Sequence, residues 1–309
     1  MPTTPPRRGA RLGGAGIPAP PAPGISDPRR DPAAAETPGR LDVSRDGAAV
    51  VLKIGGSVAG QDDAALGLVA ALHDGGLPLV VVHGGGPLIG EWAARVGLES
   101  RFAGGLRVTD AATRDVAIAV LAGLVNTTLV ARLIAKGVPA VGLSGVDGGM
   151  LRAERDGDLG EVGRITMVDS SLVDDLVAAG RLPVVAPAAI ATDDGAILNV
   201  NADSAAGALA AGLGARLLAF VTDVPGVRGQ DGKVIASLDR ERAKALVDDG
   251  TIEGGMLPKV EACLVAAAAG CRAAIVAARD VDAIEALLAG GGAGGVAGTI
   301  FEPVAAGSA

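Results

Sequence analysis

From Ala48 onward, short segments rich in Val, Ile and Leu alternate with longer segments in which apolar residues recur at helical spacing. This alternation constrains the fold more than any other feature of the 309 residues. Near-continuous apolar strands that are separated by helices are typical of a mostly parallel sheet with both faces covered. The pattern therefore predicts an α/β fold around such a sheet.

The individual elements follow from the same periodicity. The predicted strands are Val50–Ile54, Leu79–His83, Ala140–Leu143, Pro183–Ala186, Leu217–Thr222 and Ala273–Val276. The predicted helices are Asp62–His73, Leu88–Val96, Asp110–Lys136, Ser170–Ala179, Ala202–Leu213, Arg240–Asp249, Pro258–Ala269 and Asp280–Leu288. Two segments, Arg101–Thr109 and Met150–Val168, contain alternating residues interrupted by glycines. This pattern predicts hairpins beside the main sheet.

The first 47 residues differ from the rest of the chain. Ten of the 18 prolines lie within the first 40 positions, and the segment shows no hydrophobic periodicity. It contains too little apolar bulk to offset the entropy of an ordered chain, so residues 1–47 are predicted to be a disordered Pro/Arg-rich tail. The segment lacks the apolar core of a signal peptide, and its acidic residues are atypical of a transit peptide.

The composition argues against several classes of function. The chain carries 35 acidic and 27 basic residues, a formal charge of −8, with one Trp, three Phe and no Tyr. Negative charge and scarce aromatic surface disfavour nucleic-acid binding. Two Cys are too few for a disulfide-stabilised secreted domain. Apolar stretches such as Val116–Val125 are too short to span a bilayer. We expect a cytoplasmic protein with no membrane or nucleic-acid partner.

Glycine-rich loops follow the first two predicted strands. The first reads Lys53-Ile54-Gly55-Gly56-Ser57, and the second, His83-Gly84-Gly85-Gly86-Pro87, leads into a helix. Consecutive glycines let backbone N–H groups approach an anion closely, and a helix start adds its dipole. One such loop is more often a tight turn, but two in succession favour a phosphate or substrate site. Neither loop matches a Walker-type or dinucleotide-binding motif.

Five further polar residues are candidates for ligand binding. Arg107 has the fork geometry that suits a carboxylate, although a solvated surface Arg fits equally well. Asn199 and Asn201 face one way in an extended segment and offer amide groups to a ligand. N-capping or a first-turn charge would explain Asp203 alone, but not the two asparagines. Lys259, in the first turn of a helix, opposes the helix dipole at a cost of up to about 1 kcal/mol. Binding of an anion would account for this misfit, although an exposed surface lysine fits the sequence equally well.

Taken in chain order, these motifs resemble the amino acid kinase family, and within it the branch that phosphorylates N-acetyl-L-glutamate. The matching segments are Lys53–Gly56, His83–Gly86, Gly105–Thr109, Gly142–Gly148, Asn199–Asp203, Thr222–Val227 and Gly255–Lys259. The resemblance implies an open αβα sandwich with two lobes. The N-terminal lobe, residues 48–215, binds the acyl-amino acid and dimerises. The C-terminal lobe, residues 216–309, binds ATP.

The resemblance also implies a reaction, in which ATP phosphorylates the side-chain carboxylate of N-acetyl-L-glutamate to N-acetyl-L-glutamyl 5-phosphate in arginine biosynthesis. Lys53 and Lys259 would stabilise the transferring phosphoryl group, and Asp203 would orient both lysines. The implied substrate-binding residues are Gly85, Gly86, Arg107, Asn199 and Asn201. The implied ATP-binding residues are Gly55, Gly56, Thr222, Asp223, Val224, Pro225, Gly226, Val227, Thr251, Ile252 and Glu253.

This chemistry suits the residues present. A carboxylate nucleophile is already ionised at neutral pH, so the reaction needs no general base. Fixed cations and aimed N–H groups ease the approach of two anions. Mg²⁺ is expected on the ATP phosphates, without dedicated protein ligands. The expected partners are N-acetyl-L-glutamate, ATP and a second copy of the chain. Two alternatives stay open: a kinase for carrier-protein-bound aminoadipate or glutamate, and a catalytically silent ligand sensor.

Overall fold

The computed structural model describes residues 48–55, 63–277, 281–292 and 297–304. The predicted tail, residues 1–47, lies outside the described residues, and so does Gly56. The strands, in chain order, are β1 (Val50–Ile54), β2 (Leu79–His83), β3 (Arg101–Ala103), β4 (Leu106–Val108), β5 (Ala140–Ser144), β6 (Leu151–Arg155), β7 (Val162–Val168), β8 (Leu182–Ala186), β9 (Ala188–Ala191), β10 (Ile197–Val200), β11 (Leu217–Thr222), β12 (Arg272–Ala277) and β13 (Thr299–Phe301).

The helices are α1 (Asp63–Asp74), α2 (Gly86–Arg95), α3 (Ala111–Ile118), α4 (Asn126–Ala135), α5 (Ser171–Ala178), α6 (Ala202–Gly212), α7 (Arg240–Asp248), α8 (Leu257–Ala268) and α9 (Val281–Leu288). A π-helical segment, Ala119–Val125, connects α3 to α4. Each predicted helix is confirmed to within two residues at its ends, except that the one predicted over Asp110–Lys136 comprises these three consecutive parts.

The main sheet has seven strands in the order β13-β12-β11-β1-β2-β8-β5. Its strands are parallel except for β13, which runs antiparallel along β12. All six predicted strands are confirmed and lie in this sheet, and helices cover both of its faces. The predicted α/β architecture is therefore correct, and the carboxyl ends of β1, β2 and β11 lie side by side.

Beside this sheet, β6, β7, β9 and β10 close into a small barrel. The predicted hairpin over Met150–Val168 is confirmed as β6 and β7, and the hairpin over Arg101–Thr109 as β3 and β4. The sequence prediction missed β9, β10 and β13. These strands have only three or four residues each, too few to show a period of two.

The alternation of side chains along a strand places Lys53 and His83 on opposite faces of the sheet. Val51 belongs to the core formed with α6 and α8, so Lys53, two residues on, points to that face. Leu79 and Val81 belong to the core formed with the π-helical segment and α4, so His83 points to the other face. Lys53 and His83, near the carboxyl ends of neighbouring strands, thus point to opposite faces of the sheet.

The run Ala111–Ala135, made of α3, the π-helical segment and α4, is by length and composition the one helix among the described residues that is long and apolar enough to cross a membrane. The expectation that apolar stretches are too short was therefore wrong for this run, because it considered only Val116–Val125. Ala117, Leu121 and Leu129 are buried in the protein core. Core helices of folded proteins share this composition, so the run is weak evidence for a membrane.

The predicted boundary between the lobes, at residues 215 and 216, falls between α6 and β11. Strand β1 from the first segment pairs in parallel with β11 from the second, so one sheet runs through both segments. The assignment of acyl-amino acid and dimer contacts to residues 48–215, and of ATP to residues 216–309, stays a prediction.

Candidate active site

Asp203 lies between the two predicted catalytic lysines. Lys53 Nζ lies 2.5 Å from Asp203 Oδ1, and Lys259 Nζ lies 2.9 Å from Asp203 Oδ2. Lys259 also donates a hydrogen bond of 3.1 Å to the carbonyl oxygen of Gly255. Lys53 and Asp203 are buried, at 6% and 4% exposure. One carboxylate between two ammonium groups leaves an excess positive charge, which suits an anionic ligand.

Helix packing brings these residues together. Asp203 occupies the first turn of α6 and Lys259 the first turn of α8. One turn after Asp203, Gly207 packs directly on α8: a Cβ atom there would lie 2.9 Å from Ala262 Cα. Because the helices approach this closely, their first turns meet above the end of β1, where Lys53 points up from the sheet.

Burial changes the proton affinity of Lys53. Desolvation lowers the pKa of Lys53, the charge of Asp203 raises it, and the nearby charge of Lys259 lowers it further. Desolvation is the largest of these effects, so the pKa lies below its ordinary value. Asp203 is the group that keeps an ammonium ion at this buried position favourable.

A cavity of about 230 Å³ opens beside the Lys53–Asp203 pair. Its volume is below the range of about 300–1,000 Å³ that is typical of pockets for drug-sized molecules, and suits a compact metabolite. The structure brings all five predicted substrate-binding residues to its wall: Gly85, Gly86, Arg107, Asn199 and Asn201. Loops from β2, the β3–β4 hairpin and the segment before α6 supply them.

Gly85 and Gly86 begin α2 and present backbone N–H groups. In the described part of the chain, neither N–H group has a hydrogen-bond partner, whereas Gly84 N–H donates to the carbonyl of Ile54. A Cβ atom at Gly85 would lie 2.8 Å from Leu121 Cδ2, so the π-helical segment leaves no space for a side chain here. Free N–H groups at a helix N-terminus favour anion binding.

Arg107 is held in place by contacts with α2, with the residue before β3 and with β3 itself. Its guanidinium donates to Gly86 O at 3.0 Å and to Ser100 Oγ, and lies 4.8 Å from the ring centroid of Phe102. Arg107 is 9% exposed, which excludes the alternative that it is a solvated surface residue. Sequence reasoning missed Ser100 and Phe102, since neither belongs to a recognisable motif.

Asn199 and Asn201 were predicted to play the same role, but they make different hydrogen bonds. Asn199 Nδ2 donates to Thr109 Oγ1 at 3.4 Å. Asn201 is the N-cap of α6, and its Oδ1 accepts from the N–H groups of Asp203 and Ser204 at 2.8 and 3.0 Å. Of the two alternatives for Asp203, N-capping was therefore wrong, because Asn201 is the cap, whereas a charge in the first turn of α6 is confirmed. Only the amide nitrogen of Asn201 remains for a ligand.

The predicted ATP-binding residues do not line this cavity. They follow β1, end or follow β11, or lie in the loop before α8: Gly55, Thr222, Asp223, Val224, Pro225, Gly226, Val227, Thr251, Ile252 and Glu253. Gly55 N–H donates to Val221 O at 3.3 Å, so a phosphate contact by this group would replace that bond. Thr222 Oγ1 donates to Asp223 Oδ1 at 3.0 Å.

Val227 and Ile252 already serve the core. Both side chains are buried, at 1% and 2% exposure. Val227 N–H donates to Thr299 Oγ1, and Ile252 N–H donates to Leu246 O. These two residues can therefore contribute to a nucleotide site only by supporting the loops around it. Their assignment to ATP, like that of the other residues in the set, stays a prediction.

The donor set can be tested against Mg²⁺. The described segments contain no group of three or more His, Cys, Asp or Glu side chains arranged to hold a metal ion. Both carboxylate oxygens of Asp203 are paired with ammonium groups. Binding of Mg²⁺ through nucleotide phosphates and water stays a prediction.

The sequence profile of the amino acid kinase family matches residues 48–277. The chain belongs to this family. It is 43% identical over 239 residues to an acetylglutamate kinase of Dehalococcoides mccartyi, covering 74% of this chain and 87% of that protein. It is 47% identical over 223 residues to an acetylglutamate kinase of Geobacillus kaustophilus, covering 71% and 86%.

Solved structures of other proteins share the amino acid kinase fold. The protein smu.665 from Streptococcus mutans superposes with a TM-score of 0.71 at 26% identity, covering 84% of this chain and 100% of that one. The Lys53–Asp203–Lys259 cluster and the cavity beside it thus lie in a protein whose family and fold are both established.

Proposed function

We propose that this chain is an acetylglutamate kinase, which transfers the γ-phosphoryl group of ATP to the side-chain carboxylate of N-acetyl-L-glutamate in arginine biosynthesis. The observation that carries the proposal is the pairing of Asp203 with Lys53 and Lys259 beside a cavity lined by Arg107. The relatives named acetylglutamate kinase, at 43% and 47% identity, support the same activity.

Substrate orientation follows from the cavity wall. The guanidinium of Arg107 binds the α-carboxylate in the fork geometry that this group favours. Asn199 and the amide nitrogen of Asn201 bind neighbouring polar groups. The side-chain carboxylate then extends toward Lys53 and the free N–H groups of Gly85 and Gly86. Fixing both ends of a small substrate reduces the entropy that the transfer step would otherwise lose.

In the transfer step, a carboxylate oxygen of the substrate forms a bond to the γ-phosphorus while the bond to the β–γ bridging oxygen breaks. The products are the acyl phosphate and ADP. Lys53 and Lys259 stabilise the charge on the transferring group, and Asp203 keeps both ammonium groups in place. Mg²⁺, when bound with ATP, supplies further neutralisation of the phosphates. No protein group accepts a proton, because the nucleophile is already ionised.

The nucleotide is proposed to bind the loops after β1 and β11 and before α8. Their residues adjoin the two lysines in sequence or space: Gly55 follows Lys53 by two residues, and Glu253 precedes Lys259 by six. The carboxyl end of β11 lies beside that of β1, since the two strands pair in parallel. In open α/β sheets ligands bind at this edge.

The test is ADP release by the purified protein with N-acetyl-L-glutamate, L-glutamate, carbamate, UMP and carrier-bound aminoadipate. The proposal predicts turnover with N-acetyl-L-glutamate in clear excess over the others. Preference for the carrier-bound substrate would instead establish the alternative kinase. No turnover with any compound, from a protein that gives a cooperative thermal transition, would favour the ligand sensor.

We further propose a cytoplasmic homodimer. Leu124 and Ile134 are 43% and 55% exposed on the helical run that follows the β3–β4 hairpin, in the segment predicted to dimerise. Exposed apolar residues on a helix favour association with a second copy. Light scattering should give twice the mass of one chain. A clear hexamer or a monomer would contradict this assignment.

A further inference from the structure

His83 ends β2, is fully buried, and has no part in the phosphoryl transfer described above. Its imidazole has two polar neighbours. The Nδ1 atom lies 3.0 Å from the carbonyl oxygen of Gly84, and the Nε2 atom lies 3.1 Å from Asn126 Nδ2. A buried ring with both nitrogens engaged has a fixed orientation, and each nitrogen has one hydrogen-bonding role.

The neighbours of Asn126 determine which ring nitrogen carries the proton. Asn126 Nδ2 also lies 2.8 Å from Val184 O and 3.3 Å from Leu143 O, and carbonyl oxygens only accept. This nitrogen is therefore the amide donor, and it donates to His83 Nε2. Nε2 must then be unprotonated, so the proton lies on Nδ1 and is donated to Gly84 O.

This hydrogen bond orients the peptide that joins Gly84 to Gly85. The described peptide bonds are trans, so the carbonyl and the N–H group of that peptide point in opposite directions. Since the Gly84 carbonyl is held toward the buried ring, the Gly85 N–H group points away from it. Gly85 lines the substrate cavity, and this N–H group has no partner in the described part of the chain.

We propose that His83 is a positioning residue, held in its Nδ1–H tautomer by Asn126, that aims the Gly85 N–H group at the reacting carboxylate of the substrate. The proposal rests on the proposed acetylglutamate kinase activity. It gives a function to a histidine that a reaction without a general base leaves unused. It also assigns a role in the site to His83 and Asn126, which do not line the cavity and act through the Gly85 N–H group.

The surrounding chain is shaped to admit Asn126. This residue directly follows the π-helical segment, a form of helix that is rare and frequent at functional sites. On β5, a Cβ atom at Gly142 would lie 2.1 Å from Asn126 Oδ1, so a larger residue at 142 would exclude the amide. This contact explains the first glycine of the Gly142–Gly148 motif. Burial lowers the pKa of His83 to about 4, which keeps the ring neutral.

The first test observes the tautomer in the wild-type protein. His73 and His83 are the two histidines of the chain, so long-range ¹H–¹⁵N spectra contain two imidazoles, and His73→Gln assigns them. The proposal predicts a neutral Nδ1–H ring for His83 near pH 7, with and without substrate. An Nε2–H tautomer or an imidazolium ion at this pH would overturn it.

The second test separates positioning from mere packing. His83→Leu fills the site but cannot donate to Gly84 O, and should lower kcat/KM for N-acetyl-L-glutamate by about tenfold or more while KM for ATP changes by less than about twofold. His83→Gln, whose amide can donate to Gly84 O and accept from Asn126, should recover part of the loss. A packing role would lower Tm in both variants and leave their kinetics equal.

If His83→Leu does not fold, His83→Met, a flexible apolar side chain that also has no N–H donor, replaces it in the comparison with His83→Gln. A folded variant without the donor that retains wild-type kcat/KM would overturn the proposal. The two proposals fail in different ways. An inactive wild-type protein with the Nδ1–H tautomer contradicts the acetylglutamate kinase activity, whereas an active one with the Nε2–H tautomer contradicts the role of His83.

Discussion

The carboxylate of Asp203 binds Lys53 through one oxygen, at 2.5 Å, and Lys259 through the other, at 2.9 Å. The two lysines come from a central strand and from the first turn of a helix more than 200 residues later in the chain. A single acidic side chain thus fixes two cations at a spacing that a free pair of like charges would not keep. The cluster is ready for an anion before any substrate binds.

Removing either lysine should disable transfer without unfolding the protein. Lys53→Ala and Lys259→Ala should each lower kcat by about a hundredfold or more, because each deletes a fixed charge at the developing transition state. Steady-state kinetics and the thermal transition measure the two effects. Lys244→Ala, which removes an exposed lysine on α7, is the matched control and should retain activity. Near-normal turnover in either active-site variant would refute that lysine's role.

The close packing of α6 on α8 should be sensitive to one methyl group. Gly207→Ala places a Cβ atom 2.9 Å from backbone and side-chain atoms of Ala262, which should lower the free energy of unfolding by about 1–3 kcal/mol. The added methyl group should push α6 away from α8, which should separate Asp203 from Lys259 and reduce kcat.

Gly67→Ala in α1 is the matched control, since no atom lies within 4 Å of its added Cβ. This substitution should raise the free energy of unfolding by about 0.5–1 kcal/mol. Urea denaturation of both variants provides the comparison. If Gly207→Ala is as stable and as active as Gly67→Ala, helix packing does not set the geometry of the site.

Arg107 should determine affinity for the acyl-amino acid more than turnover. Arg107→Lys keeps the charge but loses the fork that contacts Gly86 O and Ser100 Oγ, so KM for N-acetyl-L-glutamate should rise by about tenfold or more. KM for ATP should change little. Arg101→Lys, at the exposed start of the same hairpin, is the control. A rise in KM for ATP alone would contradict the assignment of Arg107 to the acyl-amino acid.

The stability of the fold should depend on pH through His83. Its pKa is about 4 in the folded protein and about 6.5 in an unfolded chain, so the unfolded state binds the proton more readily. The stabilisation from the neutral ring is complete above about pH 6.5 and is lost as the pH falls toward 4. The charge of nearby Lys53 acts in the same direction.

By linkage, the loss between pH 7 and 4.5 amounts to about 2–3 kcal/mol. Urea denaturation of the wild type and His83→Gln at both pH values isolates this contribution, since the other titrating groups are shared. The wild type should lose more stability than the variant. Equal losses would show that His83 is not buried as a neutral ring.

The sequence predicted the main sheet and most element bounds, because these depend on local periodicity. The family resemblance singled out Lys53, Asp203 and Lys259, which the fold brings together, and their catalytic roles stay predictions. Asn199 and Asn201 show where such reasoning stops. Their spacing suggested one shared role, yet Asn201 caps α6 while Asn199 contacts Thr109. Whether an amide caps or binds depends on the backbone around it.

Contacts between distant segments explain the remaining differences. The approach of Gly207 to Ala262 joins helices that are 55 residues apart in the chain at these positions. Asn126 reaches His83, 43 residues earlier, and Val184, 58 residues later. No local pattern marks these pairs. A single sequence shows the glycines and the polar residues, but only the packed fold shows which of them meet.

The most direct test of the central claim is to trap the product of the wild-type enzyme. Incubation with ATP, Mg²⁺, N-acetyl-L-glutamate and hydroxylamine should convert the acyl phosphate to the γ-hydroxamate, and mass spectrometry should find it in proportion to the ADP released. L-Glutamate in place of the acetylated substrate should give little hydroxamate. ADP release without hydroxamate, or a larger yield from L-glutamate, would contradict phosphorylation of the side-chain carboxylate of N-acetyl-L-glutamate.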